Sequence, residues 1–210
     1  MNNATEKRER PYVPFDESYL YRDDQLSQDQ WRELALTDTI TGLKSRHWWD
    51  RYSKKLYQEI VSTRRRNLSF LLIDVDNLGI LNDLFGHPEV DKILGSIGSI
   101  ARHPKIGFRQ GDIPVRMSGD ELGVLLPFSD LRMANAAAHR VLLEIRTLSN
   151  KYGGLPITVS IGVADSEMSG VASAEELYKL ADIACSHAKK TKDRIVTYVP
   201  KMVLVQHKKR

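Results

Sequence analysis

A single cysteine, Cys185, denies this 210-residue chain an internal disulfide framework and suits a reducing cytoplasm. No apolar run approaches the roughly 20 residues that span a bilayer. The first eight residues, Met1-Asn2-Asn3-Ala4-Thr5-Glu6-Lys7-Arg8, lack the hydrophobic stretch of a secretory signal. Internal repeats and low-complexity segments are also missing, which excludes solenoid and fibrous architectures. Neither sign of charge dominates: the net charge is +4, and much of the basic excess sits at residues 7–10 and 207–210. That placement reads as solvated tails rather than a basic groove, so nucleic acid is not an expected partner. With 41% hydrophobic and 28% charged residues, what remains is an ordinary globular composition, sized for one core domain plus tails.

What is present is a pair of strand-like runs that end in acids. Leu71-Leu72-Ile73 leads into Asp74-Val75-Asp76. Downstream, Arg116-Met117-Ser118-Gly119-Asp120-Glu121-Leu122 resumes at once as Gly123-Val124-Leu125-Leu126, so residues 118–121 are read as the turn of a β-hairpin. A strand-end aspartate facing a hairpin turn with two more acids is how a polymerase-like palm holds divalent metal against a triphosphate. Hairpin turns favour Gly and Asp for conformational reasons alone, but two acids opposite a third exceed what a turn needs.

Residues 1–29 read as an irregular N-terminal extension, because Pro11 and Pro14 exclude a helix interior. Tyr12, Phe15, Tyr19, Leu20 and Tyr21 make it too aromatic for a spacer; it packs back on the domain or docks on a protein partner. Residues 30–200 are read as the domain and 201–210 as a basic tail. A helix opens at Gln30 with Trp31, Leu34, Ala35 and Leu36. A second carries Trp48, Trp49, Tyr52, Leu56, Ile60 and Val61 at spacings of three and four, and Arg64-Arg65-Arg66-Asn67 ends it as a solvated turn. Residues 68–75, apolar on both faces, read as a central strand. A loop is expected next, then a helix over 89–100, hairpin strands near 113–117 and 122–126, and a helix over 129–149. A strand over 156–163 follows. The capping box Ser173-Ala174-Glu175-Glu176 opens a helix to about Lys190, and the last strand covers 194–199. The order β-α-β-β-α-β-α-β, with one hairpin, describes an α+β palm rather than a doubly wound sheet.

From about residue 36 to 198 the chain resembles the GGDEF family, the domain of diguanylate cyclases. The family's opening motif stands here as Asp38-Thr39-Ile40-Thr41-Gly42-Leu43-Lys44-Ser45-Arg46. Its first acidic block stands as Asp74-Val75-Asp76-Asn77-Leu78-Gly79-Ile80-Leu81-Asn82-Asp83-Leu84-Phe85-Gly86-His87-Pro88-Glu89-Val90-Asp91, and its signature turn as Ser118-Gly119-Asp120-Glu121-Leu122. Thr158-Val159-Ser160-Ile161-Gly162-Val163 and then Ala181-Asp182 with Ala188-Lys189 follow in order. The resemblance implies a polymerase-palm-like fold, α+β, with a central, mainly antiparallel sheet surrounded by helices.

It also implies a chemistry. Two GTP molecules are joined into cyclic di-GMP (c-di-GMP), each 3′-hydroxyl attacking the partner's α-phosphate in line and expelling pyrophosphate. Hard oxygen ligands suit Mg²⁺, and the family's metal ligands fall on Asp74, the carbonyl of Val75 and Asp120. Glu121 stands beside them as ligand or helper in deprotonation, so Asp74, Asp120 and Glu121 are the expected catalytic residues. Asn82 and Asp91 fall on the guanine-selecting positions; an asparagine and an aspartate at a loop and a helix start also serve as plain caps, so these assignments lean on the resemblance. Gly119 lets a nucleotide approach the backbone closely, and Lys189 completes the substrate-binding set. Arg109-Gln110-Gly111-Asp112 matches the family's inhibitory-site motif, with Arg140 joining by offset from the following helix; an arginine fork bonds O6 and N7 of guanine. Turnover requires two loaded domains face to face, hence a dimer, whereas receptor duty does not.

The departures from the family fall on phosphate handling. The family lysine of the first block is Gly79, and the Phe before it is Leu78. The glycine before Asp91 is Val90, read as bulk beside the guanine pocket. The family arginine after Lys189 is met, ungapped, by Asp193, read as an acid facing a polyanion; with one deletion Lys192 or Arg194 serves instead. Ser118 and Leu122 are milder changes. Losing one positioned cation costs on the order of 10²–10³ in rate. The chain is therefore read as a cytoplasmic c-di-GMP signalling protein with no sensory domain of its own, a receptor or weakened cyclase binding c-di-GMP through Arg109 and Asp112. The rival reading is an active diguanylate cyclase using GTP and Mg²⁺ and inhibited by its product at that site. Trp48, Trp49 and Cys185 are read as core residues and His87 as a turn residue.

Overall fold

The computed structural model describes residue 27 and residues 33–202, apart from 64, 65, 153 and 169. Most of the N-terminal extension, the start of the helix expected at Gln30 and most of the basic tail lie outside the described residues; residues 33–35 are helical. Helix α1 (Arg46–Tyr57) is capped by Ser45, whose side chain accepts from the Trp48 N–H, and it runs into a π-helical stretch, Gln58–Thr63. Strand β1 (Leu68–Val75) is buried at every position, as a central strand should be.

After β1 the expected loop is absent. The chain instead forms α2 (Leu78–Phe85), and α3 (His87–Arg102) begins at His87 rather than at 89. Asn77 takes a left-handed φ of 59° that turns the chain out of the strand, and Gly86 at φ 79° breaks the path between the helices. A helix of eight residues containing Gly79 is too short to declare its period, and only Leu81 of it is fully buried.

Strands β2 (Ile113–Arg116) and β3 (Glu121–Pro127) make the hairpin, followed by α4 (Leu131–Thr147), β4 (Val159–Asp165), α5 (Ala174–Ala188) and β5 (Arg194–Thr197). Helix α4 starts at Leu131 because Asp130 caps it, accepting the Met133 N–H at 2.7 Å, which frees Ser129 for other work. Strand β4 starts later than expected; Pro156 has no N–H to give a ladder. Ser173 caps α5 as the capping box predicts, accepting from the Glu176 N–H, while the Glu176 carboxylate takes the N–H of Ala172.

The five strands lie in the order β2-β3-β1-β4-β5, with β4 and β5 parallel and the other neighbours antiparallel. The period of two along β1 sends Leu71, Ile73 and Val75 into a core with α3 and α4. Leu68, Phe70 and Leu72 enter a second core with Trp49, Tyr57, Leu177 and Cys185. Trp49 packs on Phe70 and Tyr178, with ring centroids 5.3 and 6.1 Å away, so its role is packing, as expected. Gly162 of β4 is required by close approach: a Cβ there would lie 2.0 Å from the Ala181 carbonyl oxygen of α5. This pins α5 against the sheet and sets where Lys189, just past its end, can reach. Among the described residues no helix is long and apolar enough to cross a membrane.

Candidate active site

Register builds the site. Asp74, near the end of β1, lies opposite Glu121 of β3, and the Val75 N–H donates to the Asp120 carbonyl at 3.0 Å. The hairpin turn is thereby folded over the strand end, and carboxylate oxygens of Asp74, Asp120 and Glu121 come within 4.8 Å of one another. Asp74 is only 4% exposed. Burial first, and then the charges of Asp120 and Glu121, push its carboxyl up to about 7 against the opposing pull of Lys189. The Lys189 ammonium sits 2.5 Å from Asp74 Oδ2, the one cation among the described residues paired with an acid of the cluster. Despite its own burial, Lys189 is held charged by Asp74 and Glu121.

The turn is braced by a residue that the sequence reading passed over. Arg116 donates to the carbonyls of Ser118 (3.2 Å) and Gly119 (2.8 Å) and to Asp38 Oδ1 (3.1 Å). Burial raises the Asp38 carboxyl, but its bonds from Thr41 and Arg116 outweigh that and hold it below the usual range. The opening motif and the signature turn are thus tied through one guanidinium. A basic residue two places before the turn was the only signal for it. Ser118, the variant residue of the turn, donates its hydroxyl to Glu121 Oε2 at 3.0 Å.

Asp76 turns to a different task. It is buried and accepts from Thr158 Oγ1 (2.8 Å), Ser160 Oγ (2.7 Å) and the Asp193 N–H (3.0 Å). That anchor corrects the reading of Asp193: its carboxylate pairs with Arg146 of α4 at 2.8 Å instead of facing a polyanion. Beside it, the Lys192 ammonium reaches Asn77 Oδ1 at the foot of α2. Val90 is a second correction. It is 2% exposed and packs in the core with Leu81, Ile93 and Leu94, so it adds no bulk at the surface where Asp91 is exposed.

The remaining expected contacts show open valences. Asn82 Oδ1 is buried with no hydrogen-bond partner among the described residues. A Cβ at Gly119 or at Gly79 would meet nothing within 4 Å, so both border open space.

The polar groups of the Arg109 site are, by comparison, paired with one another. Arg109, Asp112 and Arg140 line one cavity of about 200 Å³ together with Ser129 and Arg132, two residues outside the expected site set. Arg109 Nε donates to Asp112 Oδ1 at 3.1 Å, and one terminal amino group donates to Ser129 Oγ at 2.8 Å and to the Pro127 carbonyl. Asp112 Oδ2 accepts the Arg109 N–H at 3.0 Å. Burial raises the Asp112 carboxyl, opposed by Arg109 and Arg140. Arg140 donates to the Gly107 carbonyl at 3.3 Å.

A five-stranded α+β sheet with acids gathered where β1 meets a hairpin turn defines a palm-type domain. Residues 35–194 match the family described as "Diguanylate cyclase, GGDEF domain", and the chain belongs to that family. It is 32% identical over 171 residues to diguanylate cyclase DgcP of Pseudomonas aeruginosa, covering 80% of this chain and 24% of the relative. It is 34% identical over 163 residues to diguanylate cyclase DgcM of Escherichia coli K12, covering 77% of this chain and 38% of the relative. The chain therefore spans well under half of either relative. The crystal structure of the GGDEF domain of DgcB from Caulobacter crescentus, solved with c-di-GMP, shares the fold at 20% identity and a TM-score of 0.69, over 78% of this chain and 93% of that one.

Proposed function

We propose that residues 30–200 are a diguanylate cyclase domain, which joins two GTP molecules into c-di-GMP and releases pyrophosphate. Residues 1–29 and 201–210 are its extension and basic tail. The observation that carries this reading is the convergence of Asp74, Asp120 and Glu121 within 4.8 Å, with one ammonium among them. An all-oxygen set with excess negative charge fits Mg²⁺. Bound there, the ion would offset triphosphate charge and ease deprotonation of the 3′-hydroxyl. Asp74, Asp120 and the Val75 carbonyl would hold it, and Glu121, oriented by Ser118, would serve as a further ligand or proton acceptor. The buried, partnerless Asn82 Oδ1 is an acceptor for a guanine donor, with Asp91 on the neighbouring helix. Lys189 balances Asp74 and is the cation of the cluster that would serve a bound triphosphate.

The receptor reading rested on three departures. Val90 and Asp193 have lost their force, because one is core and the other is paired with Arg146. Gly79 keeps its force: nothing fills the space beside it. Turnover reduced by on the order of 10²–10³ is the expected consequence. That deficit favours a second reading, in which c-di-GMP binding at Arg109, Asp112 and Arg140 outlasts catalysis and the domain acts as a receptor. Incubation with GTP and Mg²⁺, with product detected by chromatography and mass, separates the two beside an Asp120→Ala control. Product that depends on Asp120 supports the cyclase; no product with c-di-GMP binding intact supports the receptor.

A further inference from the structure

We infer that Phe128 stacks on a guanine base of c-di-GMP bound at Arg109, an inference that rests on the reading of Arg109, Asp112 and Arg140 as a dinucleotide site. Phe128 takes a left-handed φ of 57°, a region that bulky side chains rarely occupy and that costs stability. The strain purchases no packing: the ring is 49% exposed and belongs to neither core. Its backbone is nonetheless held, since its N–H donates to the Asn67 carbonyl at 2.8 Å.

The residues on either side of it, Pro127 and Ser129, are the two acceptors of the same Arg109 amino group. The guanidinium that would read a base edge therefore also fixes the backbone that presents the ring. Phe128 lines a depression of about 820 Å³ with Arg66, Asn67, Asp130 and Met133, and Met133 also lines the Arg109 cavity, so the two spaces adjoin. The surroundings suit a cyclic dinucleotide: Arg66 and Arg132 offer forks for phosphates, and an exposed aromatic face offers a platform for a base. Asp130 also lines the depression, and its carboxylate, which caps α4, directs the phosphates toward Arg66 and Arg132 and away from itself.

Calorimetric titration of the full chain with c-di-GMP, using Phe128→Gly, Phe128→Tyr and Arg109→Ala, tests the inference. Glycine relieves the left-handed strain, so Phe128→Gly should melt no lower than the unmodified chain. Its affinity should fall about tenfold or more, the scale of one base–aromatic stack, while Phe128→Tyr stays within about twofold. Unmodified affinity in Phe128→Gly alongside loss in Arg109→Ala overturns the inference alone. Equal losses in the Gly and Tyr variants also overturn stacking. Unmodified affinity in Arg109→Ala, or no c-di-GMP binding by the unmodified chain, overturns the reading of the site and this inference with it.

Discussion

The two polar sites of the domain are built on opposite principles. At the end of β1, three carboxylates share one ammonium, and the most buried of them, Asp74, is pushed up to about 7. In the Arg109 cavity a single guanidinium already serves Asp112, Ser129 and the Pro127 carbonyl. The first site is short of positive charge and open beside Gly119; the second is internally satisfied. A charge-deficient cluster is costly to the apo fold and marks a place where a cation belongs. A satisfied cluster stabilises the fold first and binds by exchanging or extending bonds it already has.

That contrast can be broken most directly at Asp120. Asp120→Ala should reduce cyclase turnover by at least about 10³-fold, with a melting temperature unchanged or raised because a like charge beside Asp74 is gone. A large drop in stability would show that the cluster is structural. Arg109→Ala should behave in the opposite way. C-di-GMP affinity should fall by about 10²-fold, and denaturant unfolding should show a loss of about 1–3 kcal/mol as buried acceptors lose their donor. Full stability in that variant would contradict the internally satisfied arrangement.

Proton linkage sharpens the comparison further. Folding raises the Asp74 carboxyl from 3.8 to about 7, so the folded chain keeps a proton that the unfolded chain releases. Its contribution to stability is complete below pH 4 and is lost as pH climbs through 7. Metal must displace the same proton, so Mg²⁺ affinity should drop roughly tenfold per unit as pH falls below 7; a flat profile between pH 6 and 8 would place the metal away from Asp74. Gly79→Lys has open space to enter and should raise turnover several-fold, measured as initial c-di-GMP production; no gain would locate the rate deficit elsewhere. The smallest effect is expected from Ser118→Ala, about threefold in turnover, because it removes one exposed bond to Glu121.

Much of this is legible in the sequence. Strand β1, the hairpin and the cap at Ser173 follow from apolar period and turn chemistry, and the family resemblance put Asp112 and Arg140 beside Arg109. Helix α2 was not legible, because its eight residues hold a glycine and start from a left-handed Asn77. Val90 and Asp193 were misread for a related reason. Counting along a motif says which residue stands beside Asp91 or after Lys189, but not where its side chain points. Arg116 and Ser129 had no motif of their own, and their bonds run to residues distant in the chain or across a turn.

By itself the sequence determined the family, the strand that carries Asp74, and the acids and arginines available for chemistry, since these depend on local pattern and residue type. Tertiary structure alone decided that Asp193 answers to Arg146, that Val90 belongs to the core, and that Phe128 is held strained and exposed beside Arg109. Those outcomes depend on which surfaces pack together and which backbone groups then need partners, and no local pattern encodes them.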